Sequence, residues 1–259
     1  MAAVKRLIDL ETQARLEVDE QVKDYKDKLK INVSELTANV KFYENFTTFD
    51  TAKCKAAEKI PPYSMQHPSH PDQQFLGVPQ VLEVCECDGA KCLYIETEEK
   101  PRNKRRGFLV AESIKLEGEL AVEVKVKPID GMDNAFELWL LGDTDEHLCF
   151  ALNASPNKKF GVNAGRNNVY AYSIQGSESI LNEWYYLHIQ LKKDKINMVL
   201  LDVNRVSDDK RTFDTPAGFG SFDIALAHSI GPRTKKQYYF KSLVESVIVA
   251  DCGSQDLGE

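Results

Sequence analysis

Two periodicities divide the chain. From Val4 to about Tyr43 apolar residues recur at steps of three and four: Val4, Leu7, Leu10, Ala14, Val18, Val22, Tyr25, Leu29, Val33, Leu36, Val40 and Tyr43. Such steps place them on one stripe of an α-helix. Glu11/Arg15 and Lys23/Asp27 stand four apart on the other faces, as on a solvated helix surface. Forty helical residues would extend about 60 Å, more than a compact domain of this size can cover. The stripe therefore predicts self-association in a coiled coil or bundle, a homo-oligomer through residues 4–43. Two shorter helices, broken near Asn32-Val33-Ser34 and packed on the neighbouring domain, are the alternative, because the steps keep no strict heptad.

From Phe75 onward the period becomes two. In Leu120–Lys127 the apolar set Leu120, Val122, Val124, Val126 alternates with Ala121, Glu123, Lys125, Lys127, the pattern of a half-buried strand. Further strands are predicted at Ala135–Leu141, His147–Asn153, Phe160–Asn163, Val169–Ile174, Trp184–Lys192, Lys195–Asp202, Phe222–Ser229 and Tyr238–Ala250. Turn residues separate them, among them Asp130-Gly131, Gly142-Asp143, Ser155-Pro156-Asn157 and Gly231-Pro232. Many short strands without intervening helices mean an antiparallel sandwich or jelly roll. The fold class expected is mainly β: an antiparallel β-sandwich of jelly-roll type preceded by a long amphipathic helix or helix pair.

Composition draws the same boundary. All 14 glycines lie at or beyond Gly77 and all 10 prolines at or beyond Pro61. Pro61, Pro62, Pro68, Pro71 and Pro79 cluster where the period changes, which reads as an extended linker. The expected organisation is a helical segment 1–59, a Pro-rich linker 60–80, a β-sandwich 81–252 and a tail 253–259.

The formal charge is −7, and residues 1–59 contribute nothing to it, with 11 basic and 11 acidic side chains. An acidic sandwich excludes a nucleic-acid grip built on bulk charge. No apolar run of signal-peptide or membrane length occurs, so the expectation is a cytoplasmic protein or a place in a larger assembly. Six cysteines in a chain this long fit a reducing setting. Three glycosylation sequons, at Asn32, Asn45 and Asn153, lean the other way.

The stretch Asn182-Glu183-Trp184-Tyr185-Tyr186-Leu187-His188-Ile189-Gln190-Leu191, a turn at Lys193-Asp194 and the strand Ile196–Leu200 resemble the Trp-hairpin region of concanavalin A-like and laminin-G-like sandwiches. Asp145-Glu146-His147, Phe150-Ala151-Leu152 and Phe160–Asn168 with that hairpin are similar to the farnesoic acid O-methyltransferase-like domain, over about residues 119–250. That domain prefers a Gly-Gly pair where this chain has Asn163-Ala164-Gly165. The resemblance implies a β-sandwich that binds a ligand or partner, and does not establish methyl transfer.

Four chemistries have candidate residues in the chain. S-adenosylmethionine binding needs a Gly-rich turn between a parallel strand and a helix; Gly161–Gly165 and Gly218–Gly220 lie between strands instead. Glycoside hydrolysis needs paired carboxylates, for which Glu137 and the Asp143/Asp145/Glu146 turn are nearest. Lyase chemistry could use Tyr239, Lys241, His188 and Gln190, although outward residues of amphipathic strands explain all of these. Cys85, Cys87 and Cys92 with His67 and His70 offer zinc-type donors at an unusual spacing. The basic run Lys100–Arg106 reads as an exposed loop.

No catalytic residue, metal ligand or cofactor is assigned. The function expected is a non-catalytic interaction or structural protein whose helical segment self-associates and whose sandwich binds a carbohydrate or protein partner, with no nucleic acid and no membrane span. An enzyme working from the sandwich face, carbohydrate-active or farnesoic acid methyltransferase-like, is the alternative. Candidate ligand contacts are Trp184, Tyr186, His188, Asn163, Asn167 and Asn168, aromatic rings and amides suited to sugar stacking and hydroxyl bonding.

Overall fold

The computed structural model describes residues 40–60, 74–99, 104–131, 134–143, 146–154, 161–166, 169–175, 181–202, 210–230 and 238–251. Among the described residues fifteen strands occur in chain order: β1 (Val40–Glu44), β2 (Gln74–Phe75), β3 (Val81–Cys87), β4 (Ala90–Glu99), β5 (Lys104–Lys115), β6 (Leu120–Gly131), β7 (Asn134–Gly142) and β8 (His147–Ala154), then β9 (Gly161–Arg166), β10 (Val169–Gln175), β11 (Tyr185–Leu191), β12 (Lys195–Leu201), β13 (Lys210–Asp214), β14 (Ser221–Ile230) and β15 (Tyr238–Asp251). One sheet runs β13-β12-β11-β6-β15-β4-β3 with β1 added beside β15; the other runs β10-β9-β8-β7-β14-β5-β2. Among the described residues the strand pairings are antiparallel except β2 with β5.

The strand period decides which side chains meet between the sheets. Leu120, Val122, Val124 and Val126 of β6 and Leu187, Ile189 and Leu191 of β11 face Phe136, Leu138 and Leu140 of β7 and Leu148, Phe150 and Leu152 of β8 in one core. Removing each of these side chains from water contributes about 1.5–3 kcal/mol, which closes the two apolar faces on each other. The β-sandwich expected from the alternation is therefore the fold observed.

Of the helix expected over residues 4–43, residues 1–39 lie outside the described residues, and the self-association read from that stripe lies there with it. Its last turn is corrected: Val40–Glu44 is a strand. The fourteen-residue β15 pairs with β4 only as far as Val244, which leaves Val247–Ala250 an open edge. β1 fills it, Val40 opposite Ala250 and Glu44 opposite Val247. A ladder on a free edge outweighs helix propensity in a five-residue segment.

Residues 51–53 form one 3-10 turn capped by the Asp50 carboxylate, which accepts from Ala52 N–H. Residues 61–73 of the expected linker lie outside the described residues, whereas 74–80 is packed on the sandwich. Leu76 N–H donates to Arg105 O and Gly107 N–H to Gly77 O, so this segment seals part of the β5 edge. The tail 253–259 is outside the described residues. No helix among the described residues is long and apolar enough to cross a membrane.

Candidate functional site

Alternation gives the seven-stranded sheet a second face, opposite the core. On β7 it carries Glu137, Trp139 and Leu141; register places Ala151 and Cys149 of β8 on one side and Ala227 and Ala225 of β14 on the other. Small neighbours leave room for the Trp139 indole, which is fully buried. Arg105 of β5 reaches Glu137 with Nε 2.7 Å from Oε2 and Nη2 2.8 Å from Oε1. Trp139 Nε1–H donates to Glu137 Oε2 at 2.8 Å, and the guanidinium lies 4.9 Å from the indole centroid. The side chains of Arg105 and Glu137 are 1% and 0% exposed.

The chain itself covers this cluster. Ala57 N–H donates to Gly107 O and Leu109 N–H to Lys55 O, which bonds residues 55–57 to the edge of β5. A turn, Ile60 N–H to Ala57 O, then seats Ile60 and Ala57 against Trp139, Leu141, Ala225 and Ala227. Gly107 is required at the crossing: a Cβ there would stand 2.8 Å from Ala227 Cβ and 3.0 Å from Ile60 Cδ1. Lys59 closes the far end through Asp223, Nζ to Oδ2 2.8 Å, while Ser113 N–H donates to Oδ1. Burial raises the Asp223 pKa, but the Lys59 and Ser113 bonds outweigh it and hold the carboxyl below its usual value.

Glu137 is therefore no free acid or base. Asp223 lies opposite Leu141, four residues along the sheet, about 13 Å at strand rise. Asp143 follows the end of the same strand, six residues on. A glycosidase pair stands at about 5–9.5 Å. Of the turn acids, Asp143 is exposed, Glu146 half-buried, and Asp145 lies outside the described residues. The basic run is corrected in the same region: Lys104–Arg106 belong to β5, Arg105 is buried on Glu137, and Arg106 Nη1 donates to Leu76 O and Val78 O. A charged residue reads as surface unless its buried partner, 32 residues away, is known.

The eight-stranded sheet presents the other candidate. The β3–β4 hairpin turns at Asp88-Gly89, with φ of 53° and 85°, the two positive values that a two-residue type I′ turn needs. Its tip passes over β15: Asp88 Oδ2 accepts from Trp184 Nε1–H at 2.8 Å and lies 3.4 Å from Lys127 Nζ. Trp184 is aimed there by Asn182, which adopts φ 66° and donates its N–H to Pro128 O at 2.7 Å. Lys125 and Lys127 stand 5.0 and 5.6 Å from the indole centroid. The Trp184, Cys87 and Lys127 bonds hold the Asp88 carboxyl below its usual range.

Of the expected ligand contacts, Trp184 is half-buried at the surface. Tyr186 packs with Val199 and Leu201. His188 is corrected from an outward contact: it is 2% exposed, with Nδ1 3.1 Å from Glu123 Oε2. Gln190 is likewise buried, accepting from Asn197 Nδ2–H, whose Oδ1 accepts from Thr212. Alternation gave the face of these residues and not the depth of cover over it. Asn163 is on β9 of the opposite sheet, so the structure does not bring it to Trp184. Asn167 and Asn168 lie outside the described residues. Tyr239 is exposed and interacts with Asp130 and Lys241. Cys85, Cys87 and Cys92 carry free thiols, and among the described residues no three His, Cys, Asp or Glu side chains gather as a metal site; His67 and His70 lie outside them.

No protein-family profile and no curated protein matches the chain. Among solved structures it is similar to a prokaryotic β-1,3-1,4-glucanase (lichenase) derived from a mouse hindgut metagenome, at 11% identity and TM-score 0.56, over 81% of this chain and 98% of that one. It is similar to a Bacillus licheniformis β-glucanase at 13% identity and TM-score 0.53, over 81% and 97%. It is also similar to the CBM2 module of the evolved Dit of Lactobacillus casei BL23 phage J-1, at 11% and 0.51, over 82% and 95%. At such identities the likeness is one of fold, and the fold is the concanavalin A-like β-sandwich.

Proposed function

We propose that this chain is a non-catalytic carbohydrate-binding β-sandwich. The observation that carries the reading is the state of Glu137: gripped by Arg105, bonded by Trp139 and roofed by Ile60, it can neither donate a proton to a glycosidic oxygen nor attack a sugar carbon. The similar structures whose names mention glucanase or CBM2 support carbohydrate as the ligand class.

The ligand surface in this reading is the outer side of the eight-stranded sheet around Trp184. The indole offers a π-face for the apolar side of a sugar ring, and Asp88, Lys125 and Lys127 around it offer donors and acceptors for hydroxyls. Tyr186 and His188 lie on the same sheet face beside it and are themselves buried.

Affinity electrophoresis of the full chain in gels containing mixed-linkage β-glucan, xylan or mucin glycans, paired with a reducing-end assay on the same polymers, tests the reading. Retardation on at least one polymer without new reducing ends is expected. Release of reducing ends, or no retardation on any polymer, contradicts it.

A further inference from the structure

The hairpin that holds Trp184 carries three cysteines on one face. Cys85 and Cys87 are two apart on β3, and register places Cys85 directly opposite Cys92 of β4, with Cys87 opposite Ala90. Opposed residues of an antiparallel pair have Cα atoms about 4.5–5.5 Å apart, inside the window of about 4.4–6.8 Å that a disulfide spans. Cys87 and Cys92 are diagonal neighbours, about 7–8 Å apart and outside it. One pairing of the three is thus geometrically ready, and β3 is the edge strand of its sheet.

We propose that Cys85 and Cys92 are a modification site, closing a reversible cross-strand disulfide with a small-molecule disulfide as oxidant and locking the hairpin whose tip carries Asp88 onto Trp184. Cys85 is half-buried and Cys92 fully buried, so Cys85 is the first nucleophile. Its thiolate attacks one sulfur of the oxidant, forming a mixed disulfide and expelling one small thiolate. Cys92, after losing its proton to solvent, attacks the Cys85 sulfur and expels the second. Two protein thiols are oxidised and one small disulfide is reduced to two thiols.

Burial pushes the Cys92 thiol up to about 12 and raises that of Cys85, so few thiolates exist at neutral pH and exchange is slow there. Cys87 stays outside the pair, its Sγ 3.5 Å from Asp88 Oδ2. The ring closed is short, so the chain-entropy gain is small. The gain falls on the hairpin, which loses the freedom to fray from the sheet edge and release Asp88 from Trp184.

The test is peptide mapping of the reduced full chain after equilibration with oxidised glutathione at pH 8, acid quench, alkylation and digestion. Lys91 lies between the two cysteines, so trypsin separates their peptides unless a disulfide joins them. The expected result is a Cys85–Cys92 linked pair, about 2 Da lighter than the two free peptides and reversed by reductant. The link persists in Cys87→Ser and is lost in Cys85→Ser. Separate alkylation of Cys85 and Cys92, a Cys87–Cys92 link, or glutathione adducts without the link overturns the proposal. Because wild type and Cys87→Ser both report, misfolding of Cys85→Ser does not blunt the test. Glycan binding is not read, so the proposal stands or falls apart from it.

Discussion

Arg105 holds Glu137 through two contacts, 2.7 and 2.8 Å long, with both side chains buried beside the cluster that Ile60 and Trp139 share. Removing one partner leaves a buried charge without compensation, a loss of about 3–5 kcal/mol. Glu137→Gln is expected to lower the unfolding free energy, read from urea titration, by that amount. Arg105→Met combined with Glu137→Leu removes both charges and recovers much of the loss. If Glu137→Gln alone costs under about 1 kcal/mol, the pair is not closed as described.

The roof can be measured separately. Ile60→Ala removes a buried side chain over Trp139, with an expected cost of about 2–4 kcal/mol. The chain has two tryptophans, so Trp184→Phe makes Trp139 the sole indole reporter. Its emission is expected to be blue and poorly quenched by acrylamide. Adding Ile60→Ala is expected to shift it red; an unchanged spectrum contradicts the roof.

Much of this was legible in sequence, and its limits have physical causes. β6 could be read because each outward residue is charged or small and each inward one branched and apolar. β1 could not: Val40 and Tyr43 satisfy helical steps as well as Val40 and Phe42 satisfy alternation, and the open edge of β15 decides between them. β5 opens on Lys104-Arg105-Arg106, where charge hides the strand. Trp184 stood out as an aromatic before a strand, but its partner Asp88 is 96 residues away. His188 and Gln190 have the outward parity that alternation predicts, whereas their burial depends on cover that alternation does not carry.

Acid should destabilise the fold through His228. It lies between the sheets, with Nε2 2.7 Å from Ser242 Oγ and Phe136 and Phe240 edge-on, and burial lowers its pKa from 6.5 to about 3. The unfolded chain then binds more protons than the fold between those values. The stabilisation is present above about pH 6.5 and is lost as pH falls toward 3. His228→Phe is expected to flatten the dependence of the urea midpoint between pH 6 and pH 4. Equal slopes in variant and wild type refute this origin.

The hold on Trp184 is a surface matter and energetically modest. Asp88→Asn removes the charge facing half-buried Lys127 at a carboxylate that stands in solvent, where water screens the pair. Stability should barely change, while acrylamide quenching of Trp184 increases in a Trp139→Phe background. A large fall in stability with unchanged quenching would assign Asp88 a different role.

The central claim, that the sandwich binds carbohydrate without cleaving it, is tested most directly by one titration. Wild type and Trp184→Ala are titrated calorimetrically with oligosaccharides of the polymer that retards the chain, and the cell contents are then analysed for chain length. The expected result is saturable heat for wild type, at least about tenfold weaker binding for Trp184→Ala, corresponding to about 1.4 kcal/mol, and oligosaccharides recovered intact. Shortened oligosaccharides, or equal binding by the two proteins, would contradict the account.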